Sequence, residues 1–298
     1  MKLHIVRSRN LWFLFSGVMI AGSILAVAIF GLRFGIDFTG GSLVEIKISD
    51  AASGEAVGSV LRDAGFDGLT VQSSGEDDFI IRTTALTEEE HQELLEALDS
   101  AFADINELRF DSIGPVVGNE LKRTALIGVV LTLVLIGLYM AWAYRGVSEP
   151  VAAWKYGALT VLTAFHDVIV PVGVFAVLGA TLGWEIDATF VAAVLTILGY
   201  SINDTVVVFD RTRENLLRRV GASFEDTVEI SIKETLMRSL NTSVTTLLAL
   251  IAIFFFGGET TKPFALALII GIAIGAYSSI FIASPALVAW ETFGRKRS

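Results

Sequence analysis

Long apolar runs separated by short polar segments dominate the hydrophobic pattern of this chain. A helix that crosses the hydrocarbon core of a bilayer needs about 20 mostly apolar residues, and six runs reach that length. These predicted transmembrane spans cover residues 11–32, 124–144, 157–179, 190–209, 236–257 and 264–290. A cleaved secretory signal peptide is the alternative for the first run, because basic residues precede it. That run is longer than the roughly 7–15 apolar residues of a signal peptide, which favours a membrane span.

Basic residues near the span ends predict which side of the membrane each loop occupies, because Lys and Arg concentrate in short cytoplasmic loops. With the N-terminus inside, most of them lie on the cytoplasmic side. These residues are Lys2, Arg7, Arg9, Arg145, Lys155, Arg211, Arg213, Arg218, Arg219, Lys233, Arg238, Arg295, Lys296 and Arg297. The exceptions are Arg33, Lys122, Arg123 and Lys262. We therefore expect both termini in the cytoplasm and the segment between the first two spans outside.

Between residues 35 and 123 the apolar runs give way to short amphipathic stretches. Alternating patterns predict strands, and apolar residues three or four positions apart predict helices. The strands cover residues 42–48, 69–72, 79–83 and 108–111, and the helices cover residues 56–64 and 87–102. This βαββαβ order is typical of a ferredoxin-like α+β domain, a fold that supports many functions. In the second helix we expect a capping box of Thr87 and Glu90 and His91 on the solvated side.

These patterns divide the chain into three parts. Residues 1–34 form the cytoplasmic N-terminus and the first span, residues 35–123 the outer domain, and residues 124–298 the other five spans with a cytoplasmic C-terminus. Between the fourth and fifth spans, residues 212–235 have one apolar and one basic side. That pattern predicts an amphipathic helix along the inner membrane surface. The predicted fold class is a polytopic α-helical membrane protein with one extracytoplasmic α+β domain.

Composition agrees with a membrane protein and locates the charge. Only 18% of the residues are charged, compared with about 25% in soluble domains, and the mean hydropathy is +0.65. Residues 35–123 hold nineteen acidic and six basic residues, so the net charge of −10 belongs to the outer domain. Such a domain repels the phosphates of nucleic acid. The absence of cysteine excludes disulfides and thiolate metal sites.

Two acidic residues lie inside the predicted spans, where an ionisable side chain is costly and suggests a proton or ion pathway. Asp167, next to His166, lies near the middle of the third span. Asp204 lies in the fourth span, within its most polar run. The polar neighbours of Asp204 in this run are Tyr200, Ser201 and Asn203.

The fifth span supplies a basic counterpart. Arg238 stands at its inner end, at a depth similar to that of Asp204. Burial favours the protonated carboxyl group and an approaching arginine favours the carboxylate, so the pair could take up and release a proton. Three alternatives stay open: a static Asp204–Arg238 packing pair, a structural His166–Asp167 pair, and an intramembrane aspartyl protease using Asp167 and Asp204, which would need carboxylates that share a proton.

Short motifs follow the spans in a fixed order over nearly the whole chain. A glycine-rich motif with Asp37, Phe38, Gly40 and Gly41 follows the first span, and Gly114 and Pro115 precede the second. The remaining motif residues are His166 and Asp167, then the run from Tyr200 to Asp204, then Asp210, Arg211, Arg213 and Asn215, and finally Arg238. This ordered set resembles the SecF family of protein-export membrane subunits.

The resemblance implies a fold, a function and partners. It implies half of an RND-type transporter that pairs with a SecD-type subunit, assists the Sec translocon channel and acts on unfolded preproteins at the prokaryotic plasma membrane. Proton flow tied to Asp204 and Arg238 would move the outer domain and promote preprotein translocation. No cofactor, metal or enzymatic reaction is implied. The alternatives are a small-molecule or lipid exporter half of the RND type and a passive assembly subunit of the translocon.

Overall fold

A computed structural model of the chain describes residues 4–48, 53–75, 77–146 and 150–295. Its α-helices are α1 (Arg9–Phe30), α2 (Ile36–Thr39), α3 (Gly54–Asp63), α4 (Glu88–Ala101), α5 (Pro115–Ala143), α6 (Ala153–Leu182), α7 (Ala188–Leu217), α8 (Phe224–Phe256), α9 (Lys262–Ser278) and α10 (Ser284–Arg295). Its strands are β1 (Gly41–Ile48), β2 (Thr70–Ser73), β3 (Asp78–Thr83) and β4 (Ile105–Ile113). Lys2, Lys296 and Arg297, which contributed to the orientation prediction, lie outside the described residues.

Six helical segments of the described chain are long and apolar enough to cross a membrane, which confirms the predicted number of spans. They are α1, α5, α6, α7, α8 and the segment Glu259–Phe293, which contains α9 and all but the last two residues of α10. A π-helical turn at Ser279–Ala283 joins α9 to α10. The membrane part, Met1–Arg33 with Ile127–Ser298, forms one compact unit. Its interior is built from α6, α7 and α9, whereas α1 and α5 expose most of their apolar surface.

Small residues let the interior helices approach closely, as is common in membrane bundles. A Cβ atom added to Gly271 of α9 would lie 2.2 Å from Ile197 Cδ1, and one added to Gly275 would lie 2.8 Å from Ser201 Cβ. Both Ile197 and Ser201 belong to α7. The two glycines of α9 therefore bring the polar run of α7 directly against the end of α9.

The outer unit, Phe34–Leu126, contains the predicted βαββαβ order. Its four described strands form an antiparallel sheet in the order β2-β3-β1-β4. Alternation along β1 places Val44, Ile46 and Ile48 in a core with residues of α3 and α4, such as Leu61 and Leu94. The predicted capping box is present, since Glu90 Oε2 accepts from Thr87 N at 2.8 Å and Thr87 Oγ1 accepts from Glu90 N at 3.3 Å.

The glycine-rich motif forms a tight corner within the outer unit. Gly40 and Gly41 have φ values of 74° and 134°, a region that favours glycine. A Cβ atom on Gly40 would lie 2.6 Å from Pro115 Cα, and one on Gly41 would lie 2.7 Å from the Thr83 carbonyl oxygen. Phe38 is buried beside this corner, with 5% of its surface exposed. The motif around Gly40 and the one around Pro115 thus meet in one packed corner.

The prediction that His91 is solvated is wrong. Only 4% of His91 is exposed, and its ring stacks on Phe110 of β4 with centroids 3.7 Å apart. Its Nε2 atom lies 3.1 Å from Glu107 Oε1. His91 precedes Leu94 and Leu98 by three and seven residues, a spacing that belongs to one side of a helix. The residue therefore lies on the buried side of α4, where β4 covers it.

The prediction of a separate surface helix at residues 212–235 is also wrong. α7 continues to Leu217 and α8 begins at Phe224, so a short turn joins two long helices. Part of the apolar side of the segment is instead buried inside the membrane unit. Val228 and Ile232 are fully buried and pack with Ile5, Val6 and Val208. This apolar pattern therefore belongs to the contact between helix ends and the N-terminal turn.

Candidate functional site

Asp167 is the centre of a hydrogen-bond cluster in the interior of the membrane unit. The residue is fully buried, with 0% exposed. Its Oδ1 atom lies 2.8 Å from Nδ1 of the adjacent His166. Its Oδ2 atom accepts hydrogen bonds from Ser201 of α7 and from Ser278 of α9, the second at 2.7 Å. One carboxyl group therefore connects α6, α7 and α9.

The cluster continues through hydroxyl groups to the π-helical turn. Thr205 Oγ1 and Ser279 Oγ lie 2.9 Å apart, and Ser279 Oγ also donates to the Ser201 carbonyl oxygen at 3.2 Å. Ser279 is the first residue of the π-helical turn. Turns of this kind occur frequently at functional sites. Hydroxyl groups thus extend from Asp167 along the α7–α9 contact.

Asp204 lies one turn from Ser201 on α7 but faces a different helix. It is buried, with 2% exposed, and its Oδ2 atom accepts from Ser243 Oγ of α8 at 3.4 Å. This hydrogen bond is long, because O–H···O bonds are usually 2.5–3.0 Å. Compared with Asp167, Asp204 is a buried carboxyl group with weak hydrogen bonding.

The neighbours of Asp204 in the polar run of α7 separate onto different sides of the helix. Tyr200 Oη lies 3.1 Å from Thr246 Oγ1 of α8, so it faces the same helix as Asp204. Ser201 faces Asp167 instead, and Asn203 is exposed. The polar run of α7 therefore contacts α8 on one side and Asp167 on another, and Asn203 lies on an exposed side.

Arg238 does not pair with Asp204 in this structure. Its side chain is exposed, and among the described residues no ion pair joins it to Asp204. It belongs to a polar strip that the other helices leave uncovered. The strip comprises Asn203 of α7 and Arg238, Asn241, Thr242 and Thr245 of α8. Hydrocarbon is a poor solvent for such groups, so this strip needs a polar or protein neighbour.

The structure distinguishes between the alternatives for the acidic residues. A static Asp204–Arg238 ion pair is not formed. Asp167 and Asp204 do not hydrogen-bond to each other within the described chain, so they lack the shared-proton geometry of an aspartyl protease. His166 and Asp167 do form a pair, and Asp167 also accepts hydrogen bonds from Ser201 and Ser278. Ser278 and Ser279 were not predicted as site residues. Their position in an apolar span, just after two glycines that allow close helix packing, could have indicated a polar contact between helices.

The motif of Asp210, Arg211, Arg213 and Asn215 lies further along α7, near the turn to α8. Asp210 and Arg213 form only a loose pair, at 3.8 Å, on the surface. Arg211 and Asn215 instead reach across to α8 and contact Glu234. This motif therefore connects the ends of α7 and α8, and among the described residues no hydrogen bond or ion pair joins it to Asp167 or Asp204.

Comparison with known proteins relates this arrangement to a family. The family model of the protein export membrane protein SecD/SecF, C-terminal, matches residues 93–293. The model of the SecD/SecF GG motif matches residues 25–52, which contain Gly40 and Gly41. Protein translocase subunit SecF of Thermobaculum terrenum is 44% identical over 97% of this chain and 94% of its own length. The chain belongs to the SecF family.

Other SecF relatives and a solved structure agree with this assignment. SecF of Anaerolinea thermophila is 38% identical over 97% of this chain and 94% of its own length. The crystal structure of SecDF from Thermus thermophilus, described as a translocon-associated membrane protein, superposes with a TM-score of 0.86 at 32% identity. That comparison covers 98% of this chain but only 39% of the SecDF chain. This SecF-family chain therefore has the fold of one part of SecDF.

Proposed function

We propose that this chain is the SecF subunit of a protein translocase and couples proton flow to preprotein translocation. The observation that carries the proposal is Asp204, a carboxyl group that is buried inside a membrane span and accepts a long hydrogen bond from Ser243. An ionisable group at such a place is costly and is typical of ion pathways. Protonation of Asp204 from one side of the membrane and release to the other would let the proton gradient drive a movement of the outer domain.

A SecD-type subunit is the partner that this proposal requires. The uncovered strip of Asn203, Arg238, Asn241, Thr242 and Thr245 would face that subunit instead of lipid. Helices at such an interface could bring further titratable groups to Arg238 and complete the proton path. The solved SecDF chain, of which this fold is 39%, supports a second half of this kind. The Sec translocon channel and the emerging preprotein are the other proposed partners.

The proposed location is the prokaryotic plasma membrane, with both termini in the cytoplasm and the acidic domain outside. The distribution of basic residues along the sequence supports this orientation. In this role the chain makes and breaks no bond in its substrate, so we propose a transport subunit and not an enzyme. The passive assembly subunit is the second candidate, because Arg238 and Asp204 are not paired in this chain alone.

Proton entry into liposomes tests the proposed role of Asp204. Liposomes would contain this chain with its SecD-type partner and a pH-sensitive dye, and a proton gradient would be imposed. Asp204→Asn removes the titratable group at nearly constant shape, so we expect proton entry to fall to the level of liposomes without protein.

The matched control is Asp210→Asn, the same chemical change on the same helix at a side chain that is 69% exposed. We expect this control to conduct like the parent protein. Undiminished proton entry in an assembled Asp204→Asn complex would contradict the proposal and favour the passive assembly subunit.

A further inference from the structure

A group of polar contacts fastens α7 to α8 close to the turn that joins them. Arg211 Nε donates to Glu234 Oε2 at 2.7 Å, and Asn215 Nδ2 donates to the same oxygen at 2.8 Å. Asn215 Nδ2 also donates to Ser231 Oγ at 3.0 Å. Glu214 Oε2 accepts from Arg211 Nη1 at 2.6 Å. We call Arg211, Glu214, Asn215, Ser231 and Glu234 the hairpin clamp.

The buried amide of Asn215 is the part of the hairpin clamp that fixes the position of α8 along α7. Arg211 and Glu234 have 32% and 38% of their side chains exposed, and partly exposed ion pairs contribute little by themselves. Asn215 and Ser231 are only 2% and 0% exposed. A buried amide is costly when it is left without a partner, so a slip of α8 along α7 would be opposed at Asn215.

The hairpin clamp lies within about two helical turns of Arg238 and Asp204, the proposed proton-carrying residues. Glu234 precedes Arg238 by four residues on α8, which is about 6 Å along the helix. Arg211 follows Asp204 by seven residues on α7, which is about 10 Å. Since the helices are antiparallel, Arg238 and Asp204 differ in depth by only about 4–5 Å when Arg211 and Glu234 are paired. An arginine side chain is long enough to cover that difference.

We propose that the hairpin clamp sets the axial register of α7 against α8 and so holds Arg238 within reach of Asp204. Arg211, Asn215 and Glu234 are then positioning residues, and they touch neither Asp204 nor the proton. The approach of Arg238 to Asp204 is a movement of its side chain, because the helices on either side of the turn cannot slide. This role rests on the proposed proton-carrying function of Asp204.

Distances between spin labels test the register directly in the complete complex. The chain contains no cysteine, so Leu217→Cys and Met237→Cys introduce a single labelled pair at positions that are 69% and 64% exposed. We expect one narrow distance distribution in the labelled parent, which must still conduct protons. Asn215→Ala removes the hydrogen bonds to both Ser231 and Glu234 and should broaden the distribution most. Glu234→Gln keeps an acceptor for Asn215 and should broaden it less.

Proton entry into liposomes, measured on the same samples, separates this inference from the proposed function. We expect Asn215→Ala to lower proton entry and Arg213→Gln, at a surface residue outside the hairpin clamp, to leave both the distances and the proton entry unchanged. Parent-like distances in both Asn215→Ala and Glu234→Gln would overturn the hairpin clamp. A different result would be broadened distances in Asn215→Ala together with undiminished proton entry in Asp204→Asn. That result would support the role of the hairpin clamp in setting the register and overturn the proposed function alone.

Discussion

Replacing Gly40 with alanine (Gly40→Ala) is expected to destabilise the outer domain by about 3 kcal/mol or more. A residue with a Cβ atom at a positive φ and an extended ψ, as at Gly40 with ψ 161°, costs roughly 1–3 kcal/mol. Forcing an extra atom into a packed site costs roughly 1–3 kcal/mol. Both penalties apply here, because Gly40 has a φ of 74° and its Cβ would lie 2.6 Å from Pro115 Cα. The neighbouring backbone of Gly118 leaves little room for an adjustment, since its own Cβ would lie 2.8 Å from Gly40 N.

Hydrogen exchange of β1 in the full chain measures this effect. A loss of about 3 kcal/mol should accelerate exchange that requires domain opening by roughly 100-fold. Gly114→Ala is the matched control, because nothing lies within 4 Å of a Cβ at Gly114. Exchange in this control should stay close to that of the parent. Equal exchange rates in Gly40→Ala and Gly114→Ala would show that the corner around Gly40 tolerates a side chain.

Asp167→Ala is expected to destabilise the membrane bundle by about 3 kcal/mol, since it removes the common partner of three buried side chains. Ser201, Ser278 and His166 would all lose their contact in a site that is 0% exposed. This loss exceeds the average of about 0.6 kcal/mol for single side-chain hydrogen bonds in a membrane protein, because one carboxyl group joins three helices.

Unfolding of the purified chain by a denaturing detergent, followed by loss of helicity, gives the stability difference. Asp210→Ala is the control, and as an exposed substitution it should change stability by less than about 0.5 kcal/mol. If Asp167→Ala unfolds like this control, the hydrogen bonds of Asp167 do not stabilise the membrane bundle, and the prediction is wrong.

The sequence predicts those parts of the fold that depend on local patterns. The six spans follow from runs of about 20 apolar residues, and the βαββαβ order follows from alternation and helical spacing. The structure has longer helices than the spans, because α7 and α8 continue beyond the apolar residues as charged helix ends. Charge marks the end of an apolar run, but it does not end a helix. The mistaken surface helix at residues 212–235 arose from that difference.

The candidate site depends on contacts between distant segments, which local patterns do not contain. Asp167 and Asp204 were identified from their burial inside predicted spans, yet the partners Ser278 and Ser243 lie 111 and 39 residues away from them. The pairing of Arg238 with Asp204 was inferred from depth alone, and the exposed side chain of Arg238 shows that a similar depth does not by itself form an ion pair. His91 had the spacing of a buried residue, but its polarity suggested a solvated one.

Preprotein transport into energised membrane vesicles is the most direct test of proton coupling. It compares the parent with Asp204→Asn, each assembled with the SecD-type partner, in the presence and absence of a proton gradient. We expect Asp204→Asn to assemble normally and to lose the part of transport that depends on the gradient, while Asp210→Asn keeps it. Full gradient dependence in an assembled Asp204→Asn complex would contradict a coupling role for this carboxyl group.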